Sequence, residues 1–276
     1  MKNLFKLLII LIIFSLNSCS KEKKKNILIK EINQQAEMIT AYNDGVKNLN
    51  DGDAFYAAKK FLEAELLYPQ SDWASKSALM ASYSFYLQDY YYEAISNLER
   101  FIKTYPKDTR MAYVHYLLAM CYYENIESEK KDLQPLISAK NQFNIIIDRY
   151  PNTDFALDSK FKIDLINDVL ASKEIYLGRH YLKKEKWIAA INRFKNILDE
   201  YETTIYTEEA IHRLVEVYYK IGLEEEAKKY ASLLGYNYLS GDWYAKSYKI
   251  FNKSYQAKNI KKEKSGIIKK FKKLFE

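Results

Sequence analysis

Five alanines, Ala57, Ala94, Ala139, Ala190 and Ala227, stand at equivalent points of a recurring two-helix pattern, separated by 37, 45, 51 and 37 residues. Self-similarity at this period restricts a chain to stacked copies of one supersecondary unit, because a single copy cannot bury its own apolar face. Between the copies, apolar residues recur at three and four positions over long stretches, while only seven glycines and four prolines interrupt 276 residues. That is too little turn chemistry for a many-stranded protein, so the expected class is all-α. Three of the four prolines close the same phrase, Tyr68-Pro69, Tyr105-Pro106 and Tyr150-Pro151, where each periodic segment should stop.

In the first copy Gly45, Ala57, Phe61, Ala64 and Pro69 have the separations of the tetratricopeptide pattern. The fourth copy keeps Gly178, Tyr181, Ala190 and Phe194 but has Glu202 where proline would stand. The second retains Ala94 and Pro106, the third Ala139, Phe143 and Pro151, and the fifth little beyond Tyr218 and Ala227. Small residues let paired helices approach closely, and large aromatics fill the space to the next copy. The expected architecture is therefore a tetratricopeptide-like α-solenoid of about five helix pairs over residues 32–240, its concave surface lined by the first helix of each pair. Helices are expected over 32–50, 54–68, 71–87, 90–105, 110–124, 136–150, 154–183, 186–201, 207–221 and 223–239, with a charged insertion at 125–134 read as a solvated loop.

The N-terminus has a different pattern. Lys2 and Lys6 precede a ten-residue apolar run, Leu7 to Leu16, and a small residue stands before Cys19, the layout of an export signal. A membrane-spanning helix needs roughly 20 apolar residues, so this run is expected to be removed and not to remain as an anchor. Leu16, Ser18 and Cys19 resemble a bacterial lipobox, which implies cleavage after residue 18 and acylation of Cys19, with 19–31 as a linker. Ser20 follows the cysteine in place of the aspartate that retains many lipoproteins in the inner membrane, which resembles an outer-membrane destination.

Loss of residues 1–18 takes the formal charge from +7 to +5, and the stretch Lys258 to Glu276 alone carries +6. The folded part is then near neutral, and a nucleic-acid partner, which would need a basic stripe along that part, is excluded. Within 254–276, Ile267, Phe271 and Leu274 recur at i, i+4 and i+7 beside Ile268 and Phe275, while Lys269, Lys270, Lys272 and Lys273 take other positions. The pattern is a basic amphipathic helix, and three readings stay open: contact with an anionic membrane, docking on an acidic partner, or a solubilising tail.

No chemistry-bearing constellation stands out in the sequence. His115, His180 and His212 lie far apart with no second ligand at metal spacing, so no metal is expected. The sequence has no nucleophile elbow, phosphate-binding loop or dinucleotide glycine cluster, and Asp164 and Asp168, one turn apart, read as a wet helix face. Cys121, inside Met120-Cys121-Tyr122-Tyr123, reads as a buried thiol without a partner. Neither an enzymatic activity nor a cofactor is expected, apart from the lipid on Cys19.

Several phrases are more specific than any repeat position: Ala57 to Pro69 with Ser71; Tyr90-Tyr91-Tyr92-Glu93-Ala94-Ile95; Glu99-Arg100-Phe101-Ile102-Lys103-Thr104-Tyr105-Pro106; Arg149-Tyr150-Pro151-Asn152-Thr153; and Trp187-Ile188-Ala189-Ala190-Ile191-Asn192-Arg193. Together with the lipobox they resemble the outer-membrane protein assembly factor BamD family, over about residues 39–239. The resemblance implies a scaffold of the β-barrel assembly machinery whose partners are the barrel-forming subunit, accessory lipoproteins and unfolded outer-membrane precursors. It places precursor binding in the N-terminal groove, where Tyr42, Val46, Leu79, Tyr83, Tyr86 and Leu87 are the candidates, and the subunit contact in the C-terminal half, where Arg179, Lys183 and Arg193 are. Packing of those rings between helices stays open beside the groove reading, as does a different lipidated repeat adaptor, such as a secretin or pilus pilot or a cell-envelope coordinator.

Overall fold

A computed structural model describes residues 21–69, 71–125, 133–238 and 241–252, with side-chain surroundings from residue 32 onward. Cys19 and the basic segment 254–276 lie outside the described residues, as does most of the charged insertion. Among the described residues all regular structure is helical: α1 (Lys21–Asn50), α2 (Ala54–Leu67), α3 (Asp72–Leu87), α4 (Tyr91–Thr104), α5 (Met111–Glu124), α6 (Gln134–Arg149), α7 (Asp154–Lys183), α8 (Trp187–Glu200), α9 (Thr207–Lys220), α10 (Glu224–Asn237) and α11 (Asp242–Phe251). Helices α2 to α10 fall within two residues of the expected bounds. The first helix instead begins at Lys21, inside the stretch expected as a linker: a lysine- and glutamate-rich run around Ile27-Leu28-Ile29, with no glycine or proline, does not stop a helix. The last helix, α11, was not expected at all.

The helices form two compact units. Met1–Ile126 with Gln134–Ser159 holds α1 to α6 and the first turns of α7, and Glu127–Leu133 with Lys160–Glu276 holds the rest.

Within both units the paired helices meet through the same joint. All five repeat alanines are fully buried. Four residues on, Phe61, Leu98, Phe143 and Phe194 are fully buried, and seven on, so are Ala64, Phe101, Ile146, Ile197 and Leu234. Positions i, i+4 and i+7 share one helix face, which is the face each second helix turns inward. The glycines explain the closeness: a Cβ on Gly45 would stand 2.8 Å from the Phe61 ring, and one on Gly178 would stand 2.3 Å from the Phe194 ring. Where the residue twelve before the alanine grows from glycine to Ser82 and then Val215, the residue four after it shrinks from phenylalanine to Leu98 and then Ala231. The fifth copy looks weak in sequence because its large and small members have exchanged helices.

Turns repeat as strictly as the core does. Gly52, Asp89, Glu185 and Gly222, each five residues before its alanine, have φ of 87°, 60°, 57° and 82°. At each, the following N–H reaches back across the helix end: Asp53 to the Asn48 carbonyl (2.9 Å), Tyr90 to Phe85 (3.0 Å), Lys186 to Tyr181 (2.9 Å) and Leu223 to Tyr218 (2.9 Å). Between pairs, Tyr68, Tyr105, Tyr150, Tyr201 and Tyr238 each accept from the N–H three residues on, at 3.3, 3.0, 3.2, 3.1 and 3.0 Å from Ser71, Asp108, Thr153, Thr204 and Gly241. Thr204 also donates its hydroxyl to the Tyr201 carbonyl at 2.8 Å, as Ser71 and Thr153 do to theirs. Loss of the proline at Glu202 is therefore harmless, because hydrogen bonds to the tyrosine carbonyl set this turn.

The fifth copy of that turn, Tyr238 to Gly241, leads into α11, which docks on α9. His212 Nδ1 pairs with the Ser247 hydroxyl at 2.8 Å, both buried, and the His212 ring lies 5.0 Å from Trp243. Gly241 sits so close to the Glu208 carboxylate that a Cβ there would meet Oε1 at 1.6 Å. The Glu208 carboxylate lies at the start of α11 near the Trp243 backbone, a helix end where negative charge is favoured, with its Oε1 buried and without a hydrogen-bond partner among the described residues.

Two outcomes follow. Gly178→Ala should destabilise the chain by about 2 kcal/mol in denaturant unfolding, the scale of an overpacked core, and adding Phe194→Leu should restore at least half of the loss. Burial, followed by the nearby Arg213 and Lys246, lowers His212 to about 4 against the weaker opposing pull of Glu216 and Glu209. With the folded value below the unfolded one, the neutral ring stabilises the fold above about pH 6.5, and that contribution is lost as pH falls toward 4. Glu208, raised by burial, contributes with the opposite sign. Comparison with His212→Gln isolates the histidine: between pH 7 and 4 the parent chain should lose more melting temperature than the variant, and parallel curves would refute the assignment.

Candidate binding surfaces

The first surface belongs to the first unit and is built on α1, α3 and α5. Tyr42 is core: its ring meets Phe61 edge-on at 5.2 Å and Trp73 at 5.0 Å. Leu79 is buried in the neighbouring cluster. Val46, Tyr83 and Tyr86 are half-buried, with one side on a core cluster and the other open to solvent, and Leu87 is exposed. The six expected groove residues thus divide between a packed base and an accessible face. That division arises because the tetratricopeptide positions fix the inward side of each first helix, and residues one step round it are left at the rim.

Neighbours that sequence reasoning missed complete this face. Lys76 Nζ lies over both the Tyr42 and Trp73 rings, at 5.0 and 4.7 Å. On α5, the rings of Tyr113 and Tyr116 meet Phe155 at a tilt, at 5.6 and 5.1 Å, and the Tyr116 hydroxyl donates to Asp158 at 2.7 Å. Their signal was present, since Trp73, Lys76, Tyr83 and Leu87 share one stripe of α3 at spacings of 3, 7 and 4. Burial pushes the Tyr113 phenol up to about 12, and burial followed by Asp158 raises that of Tyr116, so both stay neutral donors. Arg110 is spent internally: its guanidinium donates to Asp108 at 2.6 and 2.9 Å and to Ser75 at 2.8 Å, and holds the Asp108 carboxyl down to about 2. The face is aromatic, hydroxyl-bearing and lightly cationic, which suits an extended polypeptide with large side chains.

A buried carboxylate paired with a half-exposed arginine ties two of this unit's second helices, α2 and α4, together. Glu65 of α2, 5% exposed, takes a two-pronged contact from Arg100 of α4 at 2.6 and 2.7 Å, and a third bond from the Tyr105 hydroxyl at 2.8 Å. Three donors on one carboxylate satisfy a charge that burial alone would make costly. The phrase from Glu99 to Pro106 therefore has a packing cause.

The second surface lies in the second unit. Arg179 donates through Nε to Glu209 at 2.7 Å and through Nη2 to the other carboxylate oxygen, and Arg213 adds a bond to Glu209 at 3.2 Å. Burial would raise the Glu209 carboxyl, but Arg179 and then Arg213 outweigh it, and the result lies below the ordinary range. Arg193 pairs with Glu174 at 3.1 and 3.3 Å and borders an open cleft of about 340 Å³ with Tyr181, Asn192 and Asn196. Lys183 is exposed at the end of α7. Arg179 remains 50% exposed, so a preoriented guanidinium faces solvent beside its internal partner.

Other chemistry is accounted for by packing. Cys121 is buried, and burial pushes its thiol up to about 12. His115 bonds Gln142 at 2.9 Å, and burial lowers its pKa. Among the described residues no group of histidine, cysteine, aspartate and glutamate is placed to hold a metal ion, and no helix is long and apolar enough to cross a membrane.

A family model described as outer membrane lipoprotein, YfiO, matches residues 34–233. The outer membrane protein assembly factor BamD of Rickettsia prowazekii is 40% identical over 241 residues, covering 87% of this chain and 93% of its own. The chain belongs to the BamD family. The Caulobacter vibrioides member is 39% identical over 243 residues, covering 88% of this chain and 79% of its own, and the Neisseria meningitidis serogroup A member is 27% identical over 218. A solved tetratricopeptide domain, that of P58(IPK), aligns with a TM-score of 0.46 at 11% identity, over 88% of this chain and 68% of that one. The family model's match ends before α11 and the basic extension.

Proposed function

We propose that the chain is a lipid-anchored scaffold of the machinery that assembles β-barrel proteins into the outer membrane. The observation that carries this reading is 40% identity to an outer membrane protein assembly factor across 93% of that protein's length. Acylation of Cys19 holds the folded units at the periplasmic face, and the lipid is the only non-protein group required. The aromatic face of the first unit, Val46, Tyr83, Tyr86 and Leu87 above the packed base of Tyr42 and Leu79, receives unfolded precursors. Arg179, Lys183 and Arg193 meet acidic groups of the barrel-forming subunit, with accessory lipoproteins bound alongside. The work is non-enzymatic: it consists of holding polypeptides in reach of one another.

Depletion of the chain in its source bacterium should lower barrel proteins in the outer membrane severalfold, with inner-membrane proteins unchanged. Tagged protein purified from detergent should bring the barrel-forming subunit with it. Unchanged barrel levels after depletion would refute the role.

A further inference from the structure

Helix α9 carries Glu209, Arg213, Glu216 and Lys220 at i, i+4, i+7 and i+11, so the four share one face. At the start of this row Arg179 of α7 bonds Glu209 at 2.7 Å, and Arg213 joins the same carboxylate at 3.2 Å. Arg213 also donates to Glu216 at 2.8 Å, and the Lys220 ammonium lies 3.8 Å from that second carboxylate. Two tryptophans flank the row. Arg213 and Lys246 both lie over Trp243 of α11, at 5.3 and 3.8 Å from the ring centroid, and Lys220 lies over Trp187 of α8 at 5.7 Å. All of these residues belong to the second unit.

The charges are layered, and the layering decides what this face shows to solvent. The side chains of Glu209 and Glu216 are 7% and 24% exposed, those of Arg179 and Lys220 are 50% and 52% exposed, and Lys246 is exposed as well. Carboxylates form the floor, and the cations above them keep donors for the outside. Contact with a ring replaces part of a cation's hydration shell, which lowers the cost of meeting an incoming anion. Because cations cover both rings, neither is free to stack a base or to enter an acyl layer, so a nucleic acid and a bilayer fit poorly. Arginine and tryptophan side by side are instead what anchors protein interfaces. From Glu209 to Lys220 the row runs about 16 Å, the length of about five residues of extended chain.

We propose that Arg179, Arg213, Lys220 and Lys246, with Trp187 and Trp243 beside them, form a binding site for an extended acidic segment of a partner polypeptide. Carboxylates of the segment pair with the outward cations, and its apolar side chains lie against the tryptophan edges. The site deepens the subunit contact proposed above, in which Arg179 already takes part, and rests on that reading only for the identity of the partner. Trp243 and Lys246 come from α11, which lies past the residues that the family model matches.

Poly-L-glutamate is the probe, added to the full chain purified in detergent. Binding at 0.15 M salt should change the emission of Trp187 and Trp243, two of the three tryptophans, and should weaken at least tenfold in 0.5 M salt, where the Debye length is about 4 Å. Lys220→Glu with Lys246→Glu should weaken it at least tenfold with circular dichroism and melting temperature unchanged, and Lys220→Arg with Lys246→Arg should keep it. Should the reversed pair disturb the fold, Lys246→Gln alone carries the test, with at least threefold weakening expected. Reversal of Lys228 and Lys229, which pair with Glu225 and Glu226 on α10, changes the net charge equally and should leave binding as it is. Unchanged tryptophan emission, equal loss from both reversals, or loss only on reversing Lys269 and Lys270 would each overturn the site. Failure of the assembly reading shows separately, as unchanged barrel levels after depletion.

Discussion

Phe61 fills the space that a side chain on Gly45 would need, and Phe194 does the same beside Gly178. This exchange of volume between facing helices is the constraint on which the rest of the molecule rests. It brings the backbones of a pair close enough to bury five alanines completely, and it leaves the outward-turned rings of the first helices free. Because dispersion and hydrophobic contact fall off within fractions of an ångström, the joint tolerates substitution only when both sides change together. The series from glycine with phenylalanine, through serine with leucine, to valine with alanine shows that compensation inside one chain.

Polar interactions are placed where this packing leaves gaps between neighbouring helices. Glu65 ties α2 to α4 through Arg100 and Tyr105, Glu209 ties α7 to α9 through Arg179, and His212 with Ser247 ties α9 to α11. Each buried group is satisfied by a residue some 30 to 40 positions away, about one repeat, so these bonds fix which helix follows which. The same internal pairing applies to the arginines proposed as partner contacts. Arg179 and Arg193 are both held by internal carboxylates, which orients the guanidinium groups without consuming every donor.

Much of the fold was legible before any coordinates. Glycine, alanine and phenylalanine at fixed separations are short-range signals, and α2 to α10 appeared close to where they pointed. What escaped was either degenerate or outside the repeat. Tyr238 carries the fifth copy of the inter-pair turn without a proline, so α11 went unseen, although its spacing from Ala227 equals that of Tyr68 from Ala57. The start of α1 was missed because a lysine- and glutamate-rich run reads as a linker, although it holds nothing that stops a helix. In the candidate groove, Tyr83, Tyr86 and Leu87 were separable from Tyr42 and Leu79 only by their tertiary neighbours. Lys76 over Trp73 follows from their i, i+3 spacing on α3, whereas its place over Tyr42 depends on α1 and α3 coming together, which no local pattern announces.

The accessible part of that aromatic face is the proposed precursor-binding surface. Photocrosslinking from p-benzoylphenylalanine placed at Tyr83 and Tyr113, with Leu66 on the second helix of the first pair as the outward control, reports on it directly in cells accumulating barrel precursors. Adducts with unfolded precursors from positions 83 and 113, and none from 66, are the predicted result. Equal yields at all three, or adducts from 66 alone, would contradict it.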